Sequence, residues 1–251
     1  MDILRRMPSA AVLVFAPLVV VMAYVIFAIS GFGSTIIAVP LLAHLFPIKF
    51  VIPMIVLLDC IGAISMGVRL RADVNRSELV PLLPFLAVGL LIGAFLLLKL
   101  PAELLLGALG VIVVGYGLLY ASGRQPRFRV GRWAAPPVGI FAGTTSSMFG
   151  VGGPIYVMYL AARGSSPEQI RATVPVIFIF TTIARIAIFS VAGLFTLEVL
   201  YTAAALLPVM ALGMWLGHHL NLSMSREQLV RIIGTLLVAS GAALVIRAAT
   251  T

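Results

Sequence analysis

Gly31-Phe32-Gly33-Ser34-Thr35-Ile36 interrupts one apolar stretch of this chain, and Gly150-Val151-Gly152-Gly153-Pro154-Ile155 interrupts another. Set at one constant offset, Gly31/Gly150, Gly33/Gly152, Ile36/Ile155, Leu41/Leu160 and Ala43/Ala162 are identical. At a slightly larger offset Pro84/Pro208, Gly89/Gly213, Gly93/Gly217, Glu103/Glu227, Gly110/Gly234 and Gly117/Gly241 also match. A hydrophobic unit that recurs within one chain predicts two similar bundles. Breaks in corresponding places point to a transporter's binding site.

The solvent of this chain is the bilayer. Of its 251 residues 62% are apolar and 10% charged, with a mean hydropathy of +1.18. A soluble domain runs nearer about 45–50% apolar and about 25% charged. Too little polar surface exists to coat a water-soluble body, so an all-α integral membrane protein is expected. The net charge of +9 does not indicate nucleic acid. The arginines sit in short gaps between apolar runs: Arg69, Arg71 and Arg76, then Arg124, Arg127, Arg129 and Arg132, then Arg163 and Arg171. That is the pattern of a topology signal. Arg5 and Arg6 precede an apolar run from about Ser9 to Ile29, longer than the core of a signal peptide and read as a retained first helix. Cys60 is the single cysteine, which excludes an internal disulfide.

The apolar segments fall near 9–30, 34–46, 50–68, 79–98 and 103–121, then near 133–149, 154–162, 170–191, 197–217 and 228–247. The expected organisation is a first repeat over 1–121, a basic cytoplasmic linker over 122–132 and a second repeat over 133–251. A helix from Ser34 to Phe46 would rise about 20 Å against a hydrocarbon core of about 30 Å. The segment after the second break is shorter still. Each short segment is either the second part of one broken span or a separate short crossing piece. The first reading gives about four transmembrane helices per repeat and parallel halves. The second gives five elements and inverts the second half. Segment length favours four, while loop charge does not decide. The pairs Gly89/Gly93 and Gly213/Gly217 leave flat stripes, read as sites of tight helix packing.

Backbone freed from helical pairing is tolerated in a membrane where protein buries it or where it lines a wet cavity. Ser34 and Thr35 are suitable N-caps for the helix that follows the first break. Pro154 suits the first turn after the second. Each break should therefore present a helix N-terminus, with its partial positive charge, near the midplane. The two could converge on one small anion. No Gly-Lys-Ser/Thr follows the glycines, so no nucleotide loop is expected.

Gly31–Pro40 and Gly150–Tyr159 resemble the two glycine signatures of the TauE/SafE sulfite exporter family, and the resemblance extends over nearly the whole chain. It implies a multi-pass carrier of the cytoplasmic membrane that moves sulfite or an organosulfonate outward. By it Gly31, Gly33, Gly150, Gly152, Gly153 and Pro154 are the motif positions. Ser34 and Thr35 stand where the family's first signature has a longer glycine run, and Tyr159 answers Pro40.

Among polar residues within apolar segments, Asp59 is a candidate coupling group, because a carboxylate there costs about 2.5–3.5 kcal/mol on insertion scales. Arg185 could pair with Asp59 or hold an anion through its planar donor fork. Ser146, Ser147, Thr181 and Thr182 could offer hydroxyls to the same anion, or bond back to their own helices. His218 and His219 lie near methionines, but adjacent histidines on a helix point in different directions, so no metal site is expected. No nucleophile–base arrangement suggests an enzyme, and no cofactor motif is present. The leading reading is a secondary transporter for a small sulfur-containing anion, working by alternating access with protons as coupling ions. The alternatives are an anion conduit and a cation- or proton-coupled carrier centred on Asp59. The expected partners are the anion, protons and the lipid bilayer; the oligomeric state, a dimer included, is not legible.

Overall fold

A computed structural model describes residues 9–30, 33–67, 73–122, 129–219 and 226–250. Gly31 and most of the basic linker, residues 123–128, lie outside that set. The described residues form α1 (Ser9–Ser30), α2 (Ser34–Leu42), α3 (Ile48–Gly67), α4 (Arg76–Lys99) and α5 (Ala102–Ser122). After a short 3-10 turn (Arg132–Ala134) come α6 (Ala135–Phe149), α7 (Gly153–Ala162), α8 (Pro167–Val191), α9 (Leu197–His219) and α10 (Arg226–Thr250).

Helices are what the composition dictates, since in hydrocarbon each backbone N–H and C=O must be paired within the segment. Long and apolar enough to cross a membrane are Ile48–Ser65, Arg76–Lys99, Ala102–Leu119, Pro167–Val191 and Leu197–His219. Large apolar side chains such as Leu91, Phe95, Val111, Ile183 and Trp215 point outward. Bilayer rather than water must face that surface, so this is a multi-pass membrane protein.

Glycine stripes set the helix pairs. A side chain on Gly89 or Gly93 would run into the backbone of Ile140 and Thr144, and one on Gly143 into that of Leu86 and Gly89. Numbers rise together along both helices, so α4 and α6 run parallel. Gly213 lies on Val21 and Gly217 on Val25, which makes α9 parallel to α1. Gly110 meets Gly241 and Gly117 meets Gly234, so α5 and α10 are antiparallel. The tight-packing reading of Gly89/Gly93 and Gly213/Gly217 holds, because the missing Cβ is what lets backbone approach backbone.

The two short helices reverse the chain. Tyr24 and Phe27 of α1 lie against Asp59 and Gly62 of α3, so α1 and α3 run the same way. Helix α2 runs back between them. It is a separate element of 9 residues rather than the second part of a broken span. Helix α7, with 10 residues, is likewise separate. Residues 9–122 thus contribute five helices where about four were expected. Segment length misled because a half-crossing helix satisfies its own backbone and needs no continuation to the far side.

Both short helices start inside the bundle and leave by opposite ends. At the end of α2, Arg247 Nη1 of α10 donates to the Ala43 carbonyl at 2.9 Å. Lys49, beyond the next turn, donates to Leu98 O near the end of α4 at 3.0 Å. At the end of α7, Arg163 meets Glu78 near the start of α4 with Nη2 to Oε1 at 2.8 Å.

Candidate functional site

Asp59 sits about halfway along α3 and is fully buried. Three hydroxyls donate to its carboxylate: Tyr24 at 2.8 Å and Ser34 at 2.7 Å to Oδ1, and Thr35 at 2.7 Å to Oδ2. Ser34 and Thr35 therefore do not cap α2. The N-cap is Gly33, whose φ of 101° is left-handed and suits glycine, and no side chain caps there. The hydroxyls instead bring Asp59 to the N-terminal end of α2, where a negative charge complements the helix dipole. The first break is already occupied by a carboxyl group that belongs to the protein.

The second break lies directly against the first. Gly150 closes α6 with φ 75°, and a Cβ on it would strike the Thr35 side chain. Tyr116 of α5 donates to the Val151 carbonyl at 3.1 Å, which satisfies one backbone acceptor freed by the break. Helix α7 follows with Gly153 first and Pro154 in its opening turn, as expected. Gly152 precedes it. A Cβ there would lie 2.6 Å from Tyr156 Oη and 3.0 Å from Ser146 Oγ, so glycine leaves room for the two hydroxyls.

Several buried polar atoms on α7 and α8 have no hydrogen-bond partner. Arg185 of α8 is 1% exposed, and its Nε and Nη2 have no hydrogen-bond partner. Nor do the hydroxyls of Tyr156 and Thr182, nor that of Ser147, whose Cβ lies toward Gly93 of α4. Thr182 is one turn before Arg185 on the same helix face, and Arg185 acts electrostatically on Tyr156, Tyr24 and Asp59. The guanidinium carbon lies 5.8 Å from the Phe189 ring centroid. The Nε–Nη2 edge is the one that grips two oxygens of an oxyanion side by side. Unpaired buried polar groups are costly, so a cluster of them calls for an explanation.

Of the residues singled out from the sequence, Ser34, Thr35 and Asp59 form the first hub, Gly150 makes the contact between the breaks, and Gly152 lies against Tyr156 and Ser146. Arg185 does not hydrogen-bond Asp59, whose oxygens are taken by hydroxyls. Thr181 bonds back to the Phe178 carbonyl at 3.0 Å. Gly31 is outside the described residues. His218 and His219 each place Nδ1 on a carbonyl of their own helix, Met214 and Trp215. Sequence reading missed Tyr24 and Tyr156. Tyr156 lies inside the second glycine motif and could have been found there; Tyr24 carries no local signal, since only folding brings it to Asp59.

The sulfite exporter TauE/SafE family profile matches residues 16–244. The chain belongs to the TauE/SafE family. Both breaks and Arg185 lie inside the matched region. Among curated relatives, a probable inner membrane transporter protein TsaS of Comamonas testosteroni is 29% identical over 76% of this chain and 81% of its own length. A probable sulfite/organosulfonate exporter TauE of Cupriavidus necator is also 29% identical, over 66% of this chain and 65% of its own length. No solved structure matches.

Proposed function

We propose that this TauE/SafE protein exports a small sulfur oxyanion, sulfite or an organosulfonate, across the cytoplasmic membrane, and that the anion binds at the start of α7. The observation that carries the reading is the unpartnered Nε–Nη2 edge of Arg185, buried beside the free hydroxyls of Tyr156 and Thr182. The N-terminal turn of α7 adds a partial positive charge. Ser147 supplies a further hydroxyl from α6, and Gly152, Gly153 and Pro154 shape the floor. The relatives named for sulfite and organosulfonate export support this choice of substrate.

Alternating access follows from an inverted repeat. The helix directions favour it: α5 and α10 are antiparallel, and α2 and α7 leave the interior by opposite ends. Helix α4 pairs with α6 as α9 pairs with α1. Ten elements in two inverted halves would put both breaks at the pseudo-symmetry centre, where rocking of one half on the other opens either side in turn. Arg76, Arg129, Arg132, Arg163 and Arg171 gather at the end where α4 begins, against Lys49, Lys99 and Arg247 at the other. The arginine-rich end is assigned to the cytoplasm.

Proteoliposomes loaded with labelled sulfite should release it, and Arg185→Met and Gly152→Leu should stop release while both proteins remain folded by circular dichroism. Full release by folded Arg185→Met protein would end the site assignment.

A further inference from the structure

Asp59 and the proposed anion site form one electrostatic unit split between the two breaks. From α1, Tyr24 faces the carboxylate; from α2, Ser34 and Thr35; from α8, Arg185 acts through space, and Cys60 follows on α3 itself. Burial works against a charge on this carboxylate, while three donated hydrogen bonds and one nearby cation support the ionised form in the empty site. Among the described residues, Arg185 is the positive side chain acting on it. An oxyanion bound on the Nε–Nη2 edge would neutralise that cation and leave an uncompensated negative charge in a low-dielectric interior, which is expensive.

We propose that Asp59 takes up one proton as the anion binds, so that the two load together and the carrier moves them in the same direction. This rests on the anion site described under the proposed function. The step makes and breaks one bond: a solvent proton adds to a carboxylate oxygen of Asp59, with no redox change. The hydroxyls can then turn, because each is an acceptor as well as a donor. The thermodynamic form is reciprocal, since a proton on Asp59 tightens anion binding by the same factor by which the anion tightens proton binding. Divalent sulfite carried with one proton leaves one net negative charge to cross the membrane, and an inside-negative potential drives that charge outward. A monovalent sulfonate with one proton crosses uncharged.

The test uses the full-length protein in lipid nanodiscs and methanesulfonate, which does not itself titrate near neutrality. Calorimetry in buffers of different ionisation enthalpy counts protons per anion bound between about pH 5 and about pH 8. Wild type should take up close to one proton per methanesulfonate wherever Asp59 is ionised. In that range affinity should fall about tenfold per unit rise in pH. Asp59→Asn should bind with no proton uptake and a flat pH profile. Binding by wild type without uptake across the whole range would overturn the linkage and leave the anion site standing. So would unchanged uptake in Asp59→Asn. If that variant does not fold, the wild-type proton count alone decides. No binding of methanesulfonate or sulfite by wild type would instead remove the anion site beneath the proposal.

Discussion

Thr35 and Gly150 lock the two breaks together: the Thr35 side chain occupies the space that a Cβ on Gly150 would need, while its hydroxyl holds Asp59 at 2.7 Å. One side chain thus touches the backbone of the second break and the acid of the first. Any movement of α2 relative to α6 must be felt at Asp59.

Gly150→Ala should therefore harm the protein in two ways. It forces a left-handed backbone on a residue with a Cβ, worth about 1–3 kcal/mol. It also drives Thr35 away from Asp59. Gly33→Ala meets the same backbone strain at φ 101° but no neighbour within 4 Å. Thermal unfolding in detergent should show the larger fall for Gly150→Ala, and equal falls would deny the contact.

Replacing Arg185 by Lys keeps the charge but loses the planar edge. A single ammonium cannot grip two oxygens side by side. Sulfite should protect Arg185→Lys against heat much less than it protects wild type, with about a tenfold to hundredfold weaker dissociation constant. Equal protection would mean that the anion does not use that edge.

The pair Glu78–Arg163 joins the start of α4 to the end of α7, with Tyr159 at 3.1 Å on the same carboxylate and Arg163 Nη1 on the Val130 carbonyl at 2.7 Å. Glu78→Gln should destabilise by about 3 kcal/mol or less, because Arg163 is partly solvated and loses only some of its partners. A double-mutant cycle with Arg163→Met should give a coupling well above that of an exposed pair, about 0.2–1 kcal/mol. Additive effects would show that the two elements are not tied here.

His44, in the turn after α2, has its pKa lowered below the usual histidine value, first by burial and then by the charge of Arg247. The fold therefore favours neutral imidazole. Its stabilising contribution is whole above about pH 6.5 and is lost as pH falls through the unfolded value toward the lower folded one. Unfolding of wild type should become slightly easier from about pH 7 to about pH 5, and His44→Gln should flatten that part of the profile. An unchanged slope in His44→Gln would assign it to another group.

The sequence by itself determined the solvent, the helices and the places where they break. Apolar runs admit one backbone solution in hydrocarbon, and so the segment bounds fall close to the observed ones, as with 9–30 for α1 and 197–217 for α9. Paired glycines announced close helix contacts because nothing else permits them. Only the tertiary structure decided that α2 and α7 double back and depart by opposite ends. Run length reports whether a segment can cross, and carries no sign for the direction in which it does. The partners of Asp59 were also hidden. Tyr24 lies on α1 and Ser34 on α2, far from Asp59 along the chain. Which hydroxyls are consumed and which are left free around Arg185 depends on distances set by packing, which residue type cannot specify.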